Sequence, residues 1–279
     1  MLRLLAMTVT RELIESFRRD GAVCVRGAFS PHEVSLVERG IERNLASPSP
    51  RAIVASKRGD RGRFVEDFCN WQEIGEYGEF IRGSAAAGIA GRLMGSGRVR
   101  LYHDHMLVKE PGTRQPTPWH QDQPYYNIDG TQTCSLWMPV DPVSRSATLE
   151  FVAGSHRGPW LMPRTFMDNQ ARWFPEGSLQ ELPDVDSQRP ATEILGWELE
   201  PGDGVFFHML TLHGAGGVEG DRRRRAFSVR FLGDDVVHAP RAWRTSPEFP
   251  GLSQQLAAGA PMDHPLFPVL WEATSAAQP

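Results

Sequence analysis

Residues 98–140 read RVRLYHDHMLVKEPGTRQPTPWHQDQPYYNIDGTQTCSLWMPV and hold three apolar runs that are separated by turn residues. Runs of this kind predict short strands, and the pattern continues downstream. The predicted strands cover residues 99–108, 119–126, 134–140, 149–152, 193–199, 204–208 and 226–232. Many short strands with Gly and Pro between them indicate a sandwich or barrel. We therefore expect a mainly β protein with flanking helices, in a double-stranded β-helix of the jelly-roll, cupin-like type.

Helical patterns dominate the region before residue 98. Leu13, Ile14 and Phe17 share one face of a predicted helix over 10–17, and Ser30-Pro31 is a typical helix start. A further helix is predicted over 80–94. No repeat or linker divides the chain. We predict one domain, 1–279, with a helix-rich part at about 1–97, a jelly-roll core at about 98–235 and a C-terminal extension at 236–279.

Composition narrows the class of partner. The net charge of −4 argues against a nucleic-acid binder, and the apolar start MLRLLAM is too short for a signal peptide or a membrane span. Cys24, Cys69 and Cys134 are scattered, so neither a disulfide framework nor a zinc finger is indicated. We expect a small-molecule substrate and a cytoplasmic location, with no nucleic acid and no membrane as partner. The oligomeric state is not predicted.

The segment Trp119-His120-Gln121-Asp122 is a candidate metal site. On a strand, residues two apart point to the same face, so His120 and Asp122 would lie side by side. We expect His213 on another strand, facing the first across the barrel. Two histidines and one carboxylate leave other positions of a metal open, as in non-haem Fe(II) oxygenases. A lone HxD is also common as a hydrogen-bonded pair or a solvated strand edge, so the spacing alone leaves both interpretations open.

His208 is the alternative third ligand. It lies an odd number of residues before His213, so on a continuous strand the two side chains would face opposite ways. We prefer His213, because Gly214-Ala215-Gly216-Gly217 after it would let a substrate or cofactor approach closely. His208 is then expected to be a packed or hydrogen-bonded histidine.

The run Arg222-Arg223-Arg224-Arg225 is expected to be mostly a solvated basic turn. A strand that starts near Arg224 would alternate, with Arg224, Ala226 and Ser228 on one face. One arginine can therefore enter the barrel, where its planar guanidinium suits a carboxylate.

An ordered set of motifs carries a family resemblance. In chain order the motifs are KEPG at 109–112, PWHQD at 118–122, SLWMPVD at 135–141, GSH at 154–156, PGD at 201–203, HG at 213–214 and RRA at 224–226. Together with the helical start and PLFP at 265–268, they resemble the phytanoyl-CoA dioxygenase family of Fe(II)/2-oxoglutarate-dependent oxygenases over about residues 10–271. The resemblance implies Fe(II) as cofactor, with 2-oxoglutarate and O2 as cosubstrates.

Residue by residue, the resemblance implies His120, Asp122 and His213 as the iron ligands and catalytic centre. It implies Arg224 as the partner of the distal 2-oxoglutarate carboxylate, at the family's offset after the second histidine. Trp137 and Lys109 match positions that line the cosubstrate pocket. The chain departs from the family at Ala147-Thr148 and Ala153, where a changed pocket wall is expected, and at Ala215, which replaces a serine common in relatives.

The implied reaction is hydroxylation of a C–H bond of a small organic substrate, such as an acid, an acyl derivative or a secondary metabolite, with release of succinate and CO2. A carboxylate at Asp122 favours hydroxylation over halogenation, while desaturation or ring formation would use the same site. Two other classes stay open. One is a metal-dependent hydrolase or isomerase on a cupin-like barrel, which leaves Arg224 without a role, and the other is a non-catalytic jelly-roll binding module.

Candidate substrate contacts are aromatic and arginine side chains, although core packing and solvation are the plainer alternatives for them. The segment 160–189 is long and broken by prolines, as binding loops and lids often are, and we expect it to shape specificity. The named candidates are Tyr125, Tyr126, Trp160, Phe166, Trp173, Phe174, Arg157, Arg164 and Arg172.

Overall fold

The computed structural model describes residues 9–56, 59, 61–164, 174–218 and 221–274. Its helices within these ranges are α1 (Arg11–Asp20), α2 (Pro31–Ala46), α3 (Gly75–Gly83), α4 (Ala86–Met94) and α5 (Leu252–Gln255). The strands are β1 (Ala22–Val25), β2 (Ile53–Val54), β3 (Phe64–Phe68), β4 (Arg98–Lys109), β5 (Thr117–His120), β6 (Ile128–Asp129), β7 (Thr133–Pro139), β8 (Leu149–Val152), β9 (Ile194–Leu195), β10 (Gly204–Phe207), β11 (His213–Ala215), β12 (Arg224–Leu232), β13 (Val237–His238) and β14 (Val269–Glu272).

The N-terminal helices begin where capping chemistry places them. Ser30 Oγ accepts a hydrogen bond from Glu33 N at 3.3 Å, and Glu33 Oε2 accepts one from Ser30 N at 2.7 Å. The single helix predicted over 80–94 is wrong, because Ser84 is extended (φ −82°, ψ 168°) and separates α3 from α4. Buried residues of both helices pack in the core on one face of the larger sheet.

The larger sheet has the strand order β1-β10-β7-β12-β4-β3-β2, and β14 also pairs with β4. One face of this sheet packs on the helices. Phe227, Val229 and Phe231 of β12 join the core there, and the Phe227 ring stacks on Tyr77 of α3 with 4.2 Å between centroids. The alternation of β12 therefore leaves Arg224, Ala226 and Ser228 for the opposite face, as predicted.

The smaller sheet has the order β5-β11-β8-β9 and lies against that opposite face. The core between the sheets contains Trp137 and Phe207 from the larger sheet with Leu149 and Phe151 from the smaller one. Two mostly antiparallel sheets around one interior confirm the expected jelly-roll fold with flanking helices.

Two strands are shorter than predicted. The strand predicted over 119–126 ends at His120, because Asp122 has helical angles (φ −74°, ψ −48°) and begins a short 3₁₀ turn. Asp122 N and Gln123 N both donate to Met209 O, which fixes that turn. Within the strand predicted over 193–199, only the two residues of β9 form a strand.

Among the described residues, no helix is both long enough and apolar enough to cross a bilayer.

Candidate metal centre and its cavity

His120 and His213 stand on neighbouring strands of the smaller sheet. The antiparallel register of β5 and β11 places His213 directly opposite His120, and their ring centroids are 4.2 Å apart. The predicted placement of the two histidines across the barrel from each other is therefore wrong. Direct pairing brings the rings together through backbone hydrogen bonds, which holds them more closely than packing between sheets does.

Asp122 reaches the same place from the turn after β5. Its Oδ1 lies 3.7 Å from His120 Nε2 and 3.8 Å from His213 Nε2. The three side chains are buried and offer ligand atoms that all lie within 4.8 Å of one another. The alternation argument predicted the right pair for the wrong reason, since Asp122 lies past the end of the strand.

Backbone carbonyls orient both rings. His120 Nδ1 lies 2.8 Å from Pro118 O, and His213 Nδ1 lies 2.9 Å from Thr211 O. A carbonyl only accepts hydrogen bonds, so each Nδ1 carries the proton and each Nε2 presents its lone pair on the side of Asp122. This tautomer is the one that a metal-binding histidine requires.

Charge in the centre is set by burial and by one cation. Burial, with help from His120, lowers the pKa of His213 to about 3, so the ring is neutral at physiological pH. Burial alone would raise the pKa of Asp122, but Arg230 and the two histidines outweigh it and hold this pKa well below its usual range. Two imidazoles and one carboxylate are a donor set that fits iron.

Arg230 is a site residue that the sequence interpretation missed. Its Nη2 lies 3.2 Å from Asp122 Oδ2, and its Nε donates to the Tyr126 hydroxyl at 3.2 Å. Ser135 Oγ donates to the same Asp122 Oδ2 at 2.9 Å. The alternation of β12 contained the signal, because Arg230 shares the parity of Arg224.

Arg224 lines the cavity with its charge uncompensated. Its guanidinium donates to Ala147 O and lies 5.7 Å from the Trp137 ring centroid, and within the described ranges it forms no ion pair. Burial lowers its pKa to about 10. A buried guanidinium without a carboxylate is costly unless a ligand supplies one.

Trp137 and Lys109 differ in their relation to the cavity. Trp137 lines it, whereas Lys109 does not belong to its lining. Lys109 lies opposite Arg224 in the β4–β12 pairing, donates from Nζ to Gly216 O at 2.9 Å and lies 4.7 Å from the Phe64 ring centroid. Burial, followed by the charge of Arg224, lowers the Lys109 pKa well below its usual range.

The cavity lies between the two sheets and opens to solvent, and its empty volume, which includes solvent at the mouth, is about 830 Å³. The candidate ligands and Arg224 line it from the inside, and Tyr125 and Tyr126 line it beside the turn after β5. Ser246 and Pro247 of the C-terminal region also contribute to its wall. One cavity therefore connects the candidate metal centre with Arg224.

His208 lies outside this centre, in a turn after β10. Its Nδ1 accepts from Leu210 N at 3.0 Å and its Nε2 contacts Thr131 O at 2.8 Å, so it is a hydrogen-bonded histidine as expected. The expected role of the glycines is wrong. A Cβ on Gly214 would meet Thr117 O at 3.1 Å and one on Gly217 would meet Thr113 O at 2.6 Å, so these glycines admit neighbouring backbone and not a ligand.

The other candidate substrate contacts are mostly engaged elsewhere. Arg157 donates to Arg19 O at 2.6 Å, and Arg164 pairs with Glu176 and Glu181. Trp160 lies under the Arg241 guanidinium at 5.1 Å, and Phe174 packs on Trp243 at 4.6 Å. Phe166, Arg172 and Trp173 lie outside the described residues, as does the rest of 165–173 in the segment 160–189.

Comparison with known proteins links this geometry to a family. The chain is 27% identical over 244 residues to a probable phytanoyl-CoA dioxygenase of Caenorhabditis elegans, covering 79% of this chain and 74% of the relative. It is 26% identical over 250 residues to the ectoine dioxygenase of Stutzerimonas stutzeri, covering 83% and 80%.

Solved structures share the fold. The α-ketoglutarate-dependent carbocyclase SnoK from nogalamycin biosynthesis superposes with a TM-score of 0.72 at 23% identity, covering 95% of this chain and 98% of that one. The epimerase SnoN, in complex with Fe³⁺, α-ketoglutarate and nogalamycin RO, superposes with a TM-score of 0.73 at 24% identity, covering 93% and 98%. The family model of phytanoyl-CoA dioxygenase matches residues 17–226, which is most of the chain. This protein therefore belongs to the phytanoyl-CoA dioxygenase family.

Proposed function

We propose that this protein is an Fe(II)- and 2-oxoglutarate-dependent dioxygenase that hydroxylates a C–H bond of a small organic substrate and releases succinate and CO2. One observation carries the proposal. A His-Asp-His donor set lines the same cavity as a buried arginine, which has no ion-pair partner among the described residues. A metal-chelating 2-oxo acid with a second carboxylate at its far end matches both features.

His120, Asp122 and His213 would hold the iron, and Arg224 would bind the distal carboxylate of 2-oxoglutarate. When bound, iron supplies the oxidation that couples O2 and 2-oxoglutarate decarboxylation to attack on a substrate C–H bond. The chain orients this chemistry, because Pro118 O and Thr211 O fix the imidazole tautomers and Arg230 holds the Asp122 carboxylate ionised. Asp122 and His213 are 4% and 3% exposed, which limits their contact with bulk water.

The outcome of the oxidation is proposed to be hydroxylation. The structural relatives include a carbocyclase and an epimerase, so the fold supports other outcomes. Product mass separates them, because hydroxylation adds one oxygen, ring formation or desaturation removes two hydrogens and epimerisation changes nothing. Turnover in chloride buffer should yield no chlorinated product, since Asp122 provides a carboxylate where a halide would need an open position.

A hydrolase or isomerase on the same barrel is the second candidate. It predicts turnover without O2 and without 2-oxoglutarate, and gives Arg224 no partner. The test is succinate release during incubation with a substrate panel, in air and under argon. Substrate-stimulated, O2-dependent succinate release supports the dioxygenase, whereas equal product formation under argon contradicts it.

Several narrower assignments remain predictions. Trp137 borders Arg224 and would pack against the cosubstrate, and Lys109 would act on the cosubstrate only indirectly, beside Arg224. Three further points also remain predictions: the single-domain organisation of 1–279, the cytoplasmic location and the influence of the segment 160–189 on specificity.

A further inference from the structure

Trp137 lines the cavity on one side of β12, and polar side chains line the cavity on the other side of that strand. The order β7-β12-β4-β3 places β4 and β3 on that side, and they supply His103, His105 and Glu66 to the lining. His103 and His105 lie two apart on β4 and therefore share a face. Glu66 lies on the adjacent β3, whose side chains were not expected at the site. We call these three residues the acceptor wall.

The acceptor wall contains unsatisfied hydrogen-bonding atoms. His103 is 3% exposed, and its Nδ1 contacts Asp104 O at 3.1 Å, so the proton sits on Nδ1 and Nε2 is an acceptor. This Nε2 is buried without a hydrogen-bond partner, as is Nε2 of His105. The nearest charged neighbour of the latter is Glu66 Oε2 at 3.5 Å, which is too far for a good hydrogen bond.

The two unpaired nitrogens are informative because of where their residues lie. Buried polar atoms in folded proteins nearly always have partners, and exceptions concentrate where a ligand supplies the missing partner. An unpaired nitrogen alone is not a binding site, since His238 Nε2 is also unpaired and does not line the cavity. The two histidines that carry these nitrogens line the same cavity as the candidate metal centre.

We propose that His103, His105 and Glu66 bind a hydrogen-bond-donating part of the substrate, so that the cavity selects a small molecule with hydroxyl or amine groups over an unsubstituted acyl chain. The inference rests on the proposed function, because it takes the cavity as the place of catalysis. An imidazole acceptor and a carboxylate both match O–H and N–H donors. An acyl chain would cover them without providing a partner, which weakens binding by about tenfold or more for each group left unpaired.

A stability measurement tests the acceptor wall without knowledge of the substrate. His103→Phe removes an unpaired nitrogen, and Asp104 O keeps the hydrogen bond from Cys69 N. We expect a Tm equal to or higher than that of the unmodified protein, by up to about 3 °C. The matched control is His208→Phe, which removes two hydrogen bonds of a buried histidine and should lower the Tm. A fall in Tm for His103→Phe as large as for His208→Phe would show that the ring is structural and overturn the proposal.

A substrate panel tests the selectivity. It contains cyclic polyols, amino sugars and cyclic amines in one arm and medium-chain alkanoic acids in the other, and succinate release is measured with each. Stimulation by the first arm, with KM raised about tenfold or more in Glu66→Gln or His103→Phe, supports the proposal. Within the first arm, loss of the amines alone in Glu66→Gln identifies the donor as a cation. Stimulation by the alkanoic acids alone overturns the proposal. If neither arm stimulates turnover, the Tm comparison decides whether the proposal stands.

One further measurement distinguishes a failure of the proposed function from a failure of the acceptor wall. The visible absorption of the anaerobic Fe(II)/2-oxoglutarate complex is recorded first for the unmodified protein and each variant. Absence of the band in the unmodified protein contradicts the dioxygenase itself. Retention of the band in a His103→Phe protein of lowered Tm contradicts the acceptor wall alone.

Discussion

Arg230 Nη2 lies 3.2 Å from Asp122 Oδ2, so the candidate carboxylate ligand is balanced by a cation from within the barrel. Asp122 lies on the turn after β5 and Arg230 near the end of β12, and the contact joins the two sheets at the metal centre. Because both groups are buried, each depends on the other for compensation of its charge.

Arg230→Met should weaken metal binding and stability together. Burial would then raise the Asp122 pKa with only the two histidines opposing it, so Fe(II) affinity should fall about tenfold or more and decline further as pH falls. The unfolding free energy should fall by about 3–5 kcal/mol. Anaerobic Fe(II) titrations over a pH range and urea denaturation measure the two effects. Arg225→Met is the control on the opposite face of β12, and an equal loss of Fe(II) affinity there would refute the special role of Arg230.

Arg224→Gln should reduce affinity for 2-oxoglutarate by about 10–100-fold while leaving Fe(II) affinity unchanged. The reason is that its guanidinium lines the cavity without an anionic partner among the described residues, and glutamine offers no charge to the distal carboxylate. Calorimetric titration of the Fe(II)-loaded protein with 2-oxoglutarate under argon provides the measurement. Arg223→Gln, which removes a surface guanidinium paired with Glu42 and Glu110, should bind normally. Normal affinity in Arg224→Gln would exclude it as the carboxylate partner.

Gly217→Ala should destabilise the fold by about 1–3 kcal/mol. A Cβ there would meet Thr113 O at 2.6 Å. The hydrogen bond from Val218 N to that same oxygen keeps the two backbone segments from moving apart to relieve the contact. Gly75→Ala at the start of α3 is the matched control, since its Cβ would meet nothing within 4 Å. Equal stability of the two variants in urea denaturation would contradict the close-approach explanation.

Stability should decrease as the pH falls from 6.5 towards 4. Burial lowers the pKa of His208 from 6.5 to about 4, so below pH 6.5 the unfolded chain binds a proton that the folded chain does not. The loss is at most about 1.4 kcal/mol per pH unit for this group, and none of it is present above pH 6.5. Urea denaturation across this window should give a smaller slope in His208→Gln. An unchanged slope would mean that His208 is protonated in the folded protein.

The clustered donor residues could be predicted from the sequence better than the residues that support them. The proximity of His120 and His213 could be predicted from residue type and motif order, and the inward direction of Arg224 from its parity on a strand. The position of Asp122 past the strand end could not, because the turn depends on hydrogen bonds to Met209 O from a distant segment. The inward direction of Arg230 follows from its parity on β12. No motif surrounds it, so nothing in the sequence distinguished it from other arginines.

The strand β3 was missed for a physical reason. Glu66 and Asp67 in its centre indicate a solvated loop, yet both are buried. Asp67 is satisfied by Asn44 Nδ2 at 2.8 Å and by Ser49 Oγ at 2.6 Å, and Glu66 faces the cavity. Neither partner of Asp67 is adjacent in sequence, so only the folded chain reveals why two acids can occupy a strand.

The visible absorption of the anaerobic complex with Fe(II) and 2-oxoglutarate tests the central claim most directly. If His120, Asp122 and His213 hold iron and Arg224 holds the cosubstrate, the unmodified protein should develop the charge-transfer band of the chelate. His120→Ala should lack this band, and Arg224→Gln should require a higher 2-oxoglutarate concentration to form it. Absence of the band in unmodified protein that has bound Fe(II), or its full retention in His120→Ala, would contradict the account.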